Sequence, residues 1–315
     1  MKIRLADVGS IEGVPPGHEL VTASLGTDGV VTSMWIASDS PAVQYSRERY
    51  PQSPTIGIGY PSLPVSVVVA VTSNEGTEAF TLTDLRMMFP SLCRLPGSGD
   101  IVIVAKSLIE NDGIAENNAI RVSSGGEVLA EGIVGDAIQH MAVGEDDTIW
   151  LGYFDEGVVE GQARVNTPDP SALAGSGIVQ FNRDFGVEWR YPQEDELFIT
   201  DCYTLAVSGS DVYACPYTDF PILRIRNGSV EHWDDIGVPA HYLLVSGSSL
   251  AFLGGYRTHW SEGVVVDLES GQAQPLRVVG PRGLDIRRSL QVSVAGDTLM
   301  ALHGRRILKG VFTVA

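Results

Sequence analysis

Lysine is nearly missing from this chain of 315 residues: Lys2, Lys106 and Lys309 are the only three, beside 18 arginines. No basic run exceeds two residues, at Arg287-Arg288 and Arg305-Arg306. With 39 acidic residues against 21 basic ones, the formal charge is −18. A nucleic-acid partner needs a basic face to neutralise its phosphates. An anionic membrane surface makes the same demand. Both partners are therefore excluded. An acid excess of this size serves solubility first, and cations or cationic partners second.

Cysteine is scarce too. Cys93, Cys202 and Cys215 are an odd number in a long chain, with no Cys-x-x-Cys and no Cys/His spacing. A secreted disulfide scaffold and a structural zinc site are both excluded. The longest apolar run, around residues 65–71, is far short of a membrane-spanning helix. The opening Met-Lys-Ile-Arg-Leu-Ala-Asp meets an acid before any apolar segment forms, so no secretory leader is expected and the expected location is the cytoplasm. Helical periodicity is nearly absent, residues 42–50 alone suiting a turn or two.

What the chain has in abundance is backbone punctuation, with 35 glycines and 17 prolines, and a 44% apolar fraction that suffices for a core. Alternating apolar runs bounded by Gly, Asp, Asn and Ser read as short strands. They also repeat. Each unit is an apolar run, a tight turn, a second run often carrying an aromatic, a variable loop, a third run, a turn and a last strand. The clearest units span residues 137–191, 199–233 and 241–279. Weaker ones span 20–85, stretched by a Pro-rich insertion at 40–64, and 92–134. The last unit, 290–314, has three strands only, and residues 3–8 are a free strand of the right kind to complete it. Four-stranded units of about 40–50 residues are blades of a β-propeller. The expectation is one all-β domain over residues 1–315, a six-bladed propeller closed by an N-terminal strand in the last blade. Seven blades, or a pair of β-sandwiches, are the alternatives.

The segment Asp147-Thr148-Ile149-Trp150-Leu151-Gly152, followed by Gly177-Ile178-Val179-Gln180-Phe181, resembles the propeller repeat found in sensor domains of two-component regulators. It departs from that repeat at the turn, which is Glu145-Asp146-Asp147 here. The strings from Trp150 to Gly157, Asp201-Cys202-Tyr203 and from Pro216 to Pro221 resemble an uncharacterised bacterial propeller family. Both resemblances imply the fold. Neither brings a catalytic residue, because one fold hosts many activities.

In such an architecture the first strand of each blade lines a central channel. The loops after second strands and those entering first strands share one face. Polar groups from distant sequence positions are expected to converge there. Tyr203, Tyr217, Tyr256, Arg257, His259, Trp260 and Arg305 are the candidates for contacting a small molecule or a protein partner. The insertion at 40–64, with Tyr45, Arg47, Arg49, Tyr50 and Tyr60, is expected to cover the axial pocket. Asp155, Glu156, Asp201 and Asp219, with His140, His241 and His303, are the candidates for a divalent metal such as Ca²⁺, Mg²⁺ or Mn²⁺. That set would make the alternative function a metal-assisted hydrolase or lyase, by analogy with lactonase-like propellers.

Other chemistries find no support in the spacing. Ser-rich stretches at 208–210 and 246–249 read as hairpin turns, and no nucleophile elbow occurs. Gly57-Ile58-Gly59 and Gly97-Ser98-Gly99 precede no helix, so they are not dinucleotide loops. Trp150, Trp189 and Trp233 suit packing between blades, and Cys202 and Cys215 suit packing over redox chemistry.

Overall fold

A computed structural model describes residues 1–60, 62–112, 114–164, 169–193, 197–234, 238–255, 258–282 and 284–314. Six antiparallel sheets follow one another along the chain and make six blades. Their first strands are His18–Leu25, Met88–Arg94, Ile138–Val143, Asp201–Ser208, Tyr242–Ser246 and Gln291–Ala295. These six line one cavity on the axis, so they are the inner strands.

Burial falls outward from the second strand of each blade. Ile149–Tyr153 and Ser249–Leu253 are buried at every position. Outer strands such as Ser229–Trp233 are mostly exposed. Second strands have a neighbouring blade on both faces, so they read as unbroken apolar runs where a half-exposed strand would alternate.

Alternation still decides which neighbour each side chain meets. On Ile101–Ser107, Ile101 and Ile103 enter the core shared with blade one, while Val102 and Val104 enter the core shared with blade three. Six such cores, one per blade–blade junction, hold the ring together. Trp150 and Trp189 meet at the junction of blades three and four, their ring centroids 5.6 Å apart. Cys202 and Cys215 face opposite cores of blade four, both unpaired and buried.

Ring closure departs from the expected single strand over residues 3–8. Ala6–Ser10 is the fourth strand of blade six, antiparallel to Arg306–Val311. Lys2–Arg4 instead pairs in parallel with Ala273–Val279 and becomes a fifth strand on blade five. The chain passes between the two sheets at Leu5, whose side chain joins Ile3 in the core between blades five and six. The N-terminus thus bridges two blades, because alternate residues there serve an apolar core and two different sheet edges.

Two insertions leave the ends of second strands. The first contains helix α1, Pro41–Arg49, capped by Ser40, which accepts a hydrogen bond from the Ala42 amide. Ile56 and Ile58 anchor the rest of that insertion in the core of blades one and two. The second contains helix α2, Asp155–Ala163, backed by a 3₁₀ segment over Pro170–Ser176. No helical signal marks this stretch, because glycines weaken α2's intrinsic propensity. Packing explains why it forms. A Cβ at Gly157 would stand 2.6 Å from the Ala137 Cβ, and one at Gly175 would stand 2.6 Å from the Gly161 carbonyl carbon. Glycine at these positions lets the helix lie directly on its neighbours.

Candidate functional site

Register places the site. Asp201 pairs with Tyr217, Ile138 with Tyr153, and Tyr242 with Leu253. Entrances to inner strands and ends of second strands therefore share one face, as expected. At that face a cup of about 180 Å³ is lined by Gln139, Phe154, Asp201, Tyr203 and His241. Gln139 and His241 also line the axial channel, which encloses about 310 Å³ and is walled by all six inner strands. The cup is the mouth of the channel.

Aromatic contacts build the cup's wall. Tyr203 stacks on His241 with centroids 6.2 Å apart and planes 17° from parallel. Phe220 meets Tyr203 edge-on at 5.2 Å, and Tyr217 lies 6.2 Å from it. Such rings supply a rigid apolar surface with polar edges. Tyr217 and Phe220 flank Asp219, and both Asp219 and Phe220 take positive φ in the turn that brings the rings together.

The charged group of the cup is Asp201. Its carboxyl is half-buried, and desolvation lifts its pKa to about 6, helped by the nearby negative Asp155. Asp155 sits in the first turn of α2, where its carboxylate accepts from the Glu156 amide at 2.8 Å. Docking of α2 thus places a second carboxylate beside the cup.

His140 lies one residue deeper than Gln139. Its Nε2 is 2.8 Å from the Tyr203 carbonyl oxygen. A carbonyl only accepts, so Nε2 carries the proton and Nδ1 the lone pair. Burial, with the positive Lys106 nearby, pushes the His140 pKa down to about 3, so this imidazole is neutral. Lys106 ends the buried face of Ile101–Ser107, and it lines both the channel and an adjoining pocket of about 390 Å³. Tyr50, Ser53 and Gly57 of the first insertion line that pocket too. The insertion forms a wall at the channel's side, held by the Arg47–Glu19 ion pair and by the Ser46 hydroxyl accepting from the Gly57 amide at 2.8 Å.

The structure brings Tyr203, Tyr217, Asp201, His241, His140 and Asp155 to this end of the channel. It does not bring the other candidates with them. Arg305 is committed to the protein itself, donating to the Val14 and Pro15 carbonyls at 2.8 and 2.9 Å and covering the Trp35 ring. Trp260 packs on the core of blades five and six. The His259 Nδ1 accepts from the Ser261 amide at 3.3 Å. The His303 Nδ1 is buried without a partner among the described residues. Asp219 and Glu156 are exposed. Tyr256 and Arg257 lie outside the described residues.

The expected metal set is not assembled. Among the described residues no three His, Cys, Asp or Glu side chains are grouped closely enough to hold an ion. Blade geometry explains this: the acids stand at strand ends around the rim, and the imidazoles His140 and His241 face the axis. Gln139 and Phe154 were not expected at this face, whereas Lys106, following a second strand, was expected on it without being a ligand candidate. Lys106 did carry a signal, as the lone charge in the apolar string Ile-Val-Ile-Val-Ala-Lys.

No protein-family model matches the sequence, and no curated protein matches it. Solved structures do resemble the chain. Virginiamycin B lyase from Staphylococcus aureus is similar at 11% identity, over 99% of this chain and 100% of that one, with a TM-score of 0.48. A PQQ-bound aldose sugar dehydrogenase from Streptomyces coelicolor is similar at 11% identity, over 98% and 97%, with a TM-score of 0.47. The likeness is one of fold. Among the described residues no helix is long and apolar enough to cross a membrane.

Proposed function

We propose that this propeller binds a small polar molecule at the mouth of its axial channel, in the cup of Gln139, Phe154, Asp201, Tyr203 and His241. One observation carries the reading. Side chains from three blades converge on a concave site that opens into the channel through Gln139 and His241. Concave sites mixing aromatic walls with a few convergent polar groups are where ligands bind. A carboxyl with a raised pKa in such a site supports the same reading. In it, Tyr203 and His241 present ring faces to the ligand, while Asp201 and Gln139 fix its orientation. Metal-assisted hydrolysis lacks support, because no donor set converges among the described residues. A cytoplasmic location goes with this reading, because three unpaired buried thiols fit a reducing compartment.

Saturation-transfer NMR with butyrate, butyramide and glycerol as probes tests the reading. At least one probe should receive saturation from the wild-type protein and bind at least five-fold more weakly to a folded Tyr203→Ala variant. If no probe is saturated, or if Tyr203→Ala binds them all as well as wild type, the reading is wrong.

A further inference from the structure

Lys106 poses a problem that the cup does not solve. Its side chain is partly buried at the channel wall, and burial lowers its pKa with no carboxylate acting against that effect. It has no hydrogen-bond or ion-pair partner among the described residues. A charge drawn partly out of water without a counterion is costly, so such groups are normally paired. The surroundings make the absence sharper. The chain carries a net charge of −18. Yet among the described residues lining the axial channel, Lys106 is the only Lys, Arg, Asp or Glu.

The neighbours define what would suit this ammonium. Gln139 and Gln291, from blades three and six, line the same channel and offer amide donors. His140 is held neutral with its proton spent on the Tyr203 carbonyl, so it adds no second positive charge. Farther along, Ala142, Leu205 and Val292 give the wall apolar stretches.

We infer that the axial channel is a carboxylate site, in which Lys106 pairs with the carboxylate of a small monoanionic organic acid whose apolar part lies along the channel. One ammonium matches one negative charge. Inorganic phosphate, divided between the mono- and dianion at neutral pH and lacking an apolar part to lie along the channel, should bind more weakly. The inference deepens the proposal for the channel mouth and rests on it for the route of entry, since the cup and the channel share Gln139 and His241.

Butyrate and butyramide separate the charge from the shape. Titration calorimetry should show butyrate binding wild-type protein at least ten-fold more tightly than either butyramide or phosphate. Lys106→Met, which keeps length and removes charge, should abolish that preference and leave butyramide within two-fold of wild type. Lys106→Arg, with melting curves confirming both folds, should keep the preference for butyrate. Equal binding of butyrate and butyramide, or a preference that survives Lys106→Met, overturns the carboxylate site while leaving the mouth reading intact. A Lys106-dependent butyrate preference that is indifferent to Tyr203→Ala supports the carboxylate site and overturns the mouth reading. Absence of binding by butyrate, butyramide and phosphate overturns the carboxylate site, and absence of glycerol binding as well overturns both readings.

Discussion

Replacing Asp201 by Asn should stabilise the protein above pH 6, although it alters the candidate site. The reasoning is thermodynamic linkage. Asp201 has its pKa raised from the ordinary 3.8 to about 6 by burial and by Asp155. Near pH 4 and below, the carboxyl is neutral in the folded protein and places no charge in the cup. As pH rises from about 4 to about 6 the unfolded chain ionises first, and stability falls. Above about 6 both states are ionised and the full penalty is present. A rise of this size corresponds to about 3 kcal/mol. Because the group is half open to solvent, screening reduces the expected effect to about 1.5 kcal/mol. Asn keeps the shape and removes the charge. Urea unfolding of both proteins from pH 4 to pH 8 measures the difference. The variant should match wild type near pH 4 and exceed it by about 1.5 kcal/mol at pH 7 and 8. For a chain of this length that is roughly a 2–3 °C rise in melting temperature. A variant less stable at pH 8, or a difference that does not change with pH, refutes the electrostatic account of Asp201.

Other consequences follow from the ring and its cores. Ile3 is 2% exposed between blades five and six, so Ile3→Ala should cost about 3 kcal/mol in urea unfolding. A loss under about 0.5 kcal/mol would mean that the N-terminal strand does not hold the ring. The thiols of Cys93 and Cys215 are pushed up to about 12 by burial, and that of Cys202 is raised as well. All three should stay unreactive toward a chromogenic disulfide reagent at pH 8 until the protein unfolds. Fast titration of even one thiol in the native protein would contradict the packing described for it.

Much of the architecture was legible because a propeller repeats its local physics. Second strands such as Ile149–Tyr153 are apolar at every position since they have a blade on each side, and Gly/Asp/Ser turns separate them from their neighbours. Residues 3–8 read as one spare strand, whereas the chain makes two there, Lys2–Arg4 and Ala6–Ser10. Nothing in their alternation told that the chain would change sheets at Leu5, because Ile3 and Leu5 look alike whether one edge or two are served. Helix α2 was hidden because its stability comes from contact at Gly157 and Gly161 and little from propensity.

The site was legible in part. Tyr203, His241 and Asp201 followed from knowing which strand ends meet. Arg305 and Trp260 sit at comparable positions in their blades, but their side chains turn toward Val14, Pro15 and the core. Backbone repetition predicts where a residue stands and not which way its side chain goes. Lys106 was visible as a charge in an apolar strand. Its meaning appears only once six inner strands wall the channel it lines, with no carboxylate among the described lining residues.

A crystal structure of the protein soaked with butyrate would test the central claim most directly. The account predicts density inside the axial channel, the carboxylate within hydrogen-bonding distance of the Lys106 ammonium, reached from the mouth between Tyr203, His241 and Asp201. Density confined to other surfaces, with the channel and its mouth holding only water at full soak concentration, would contradict it.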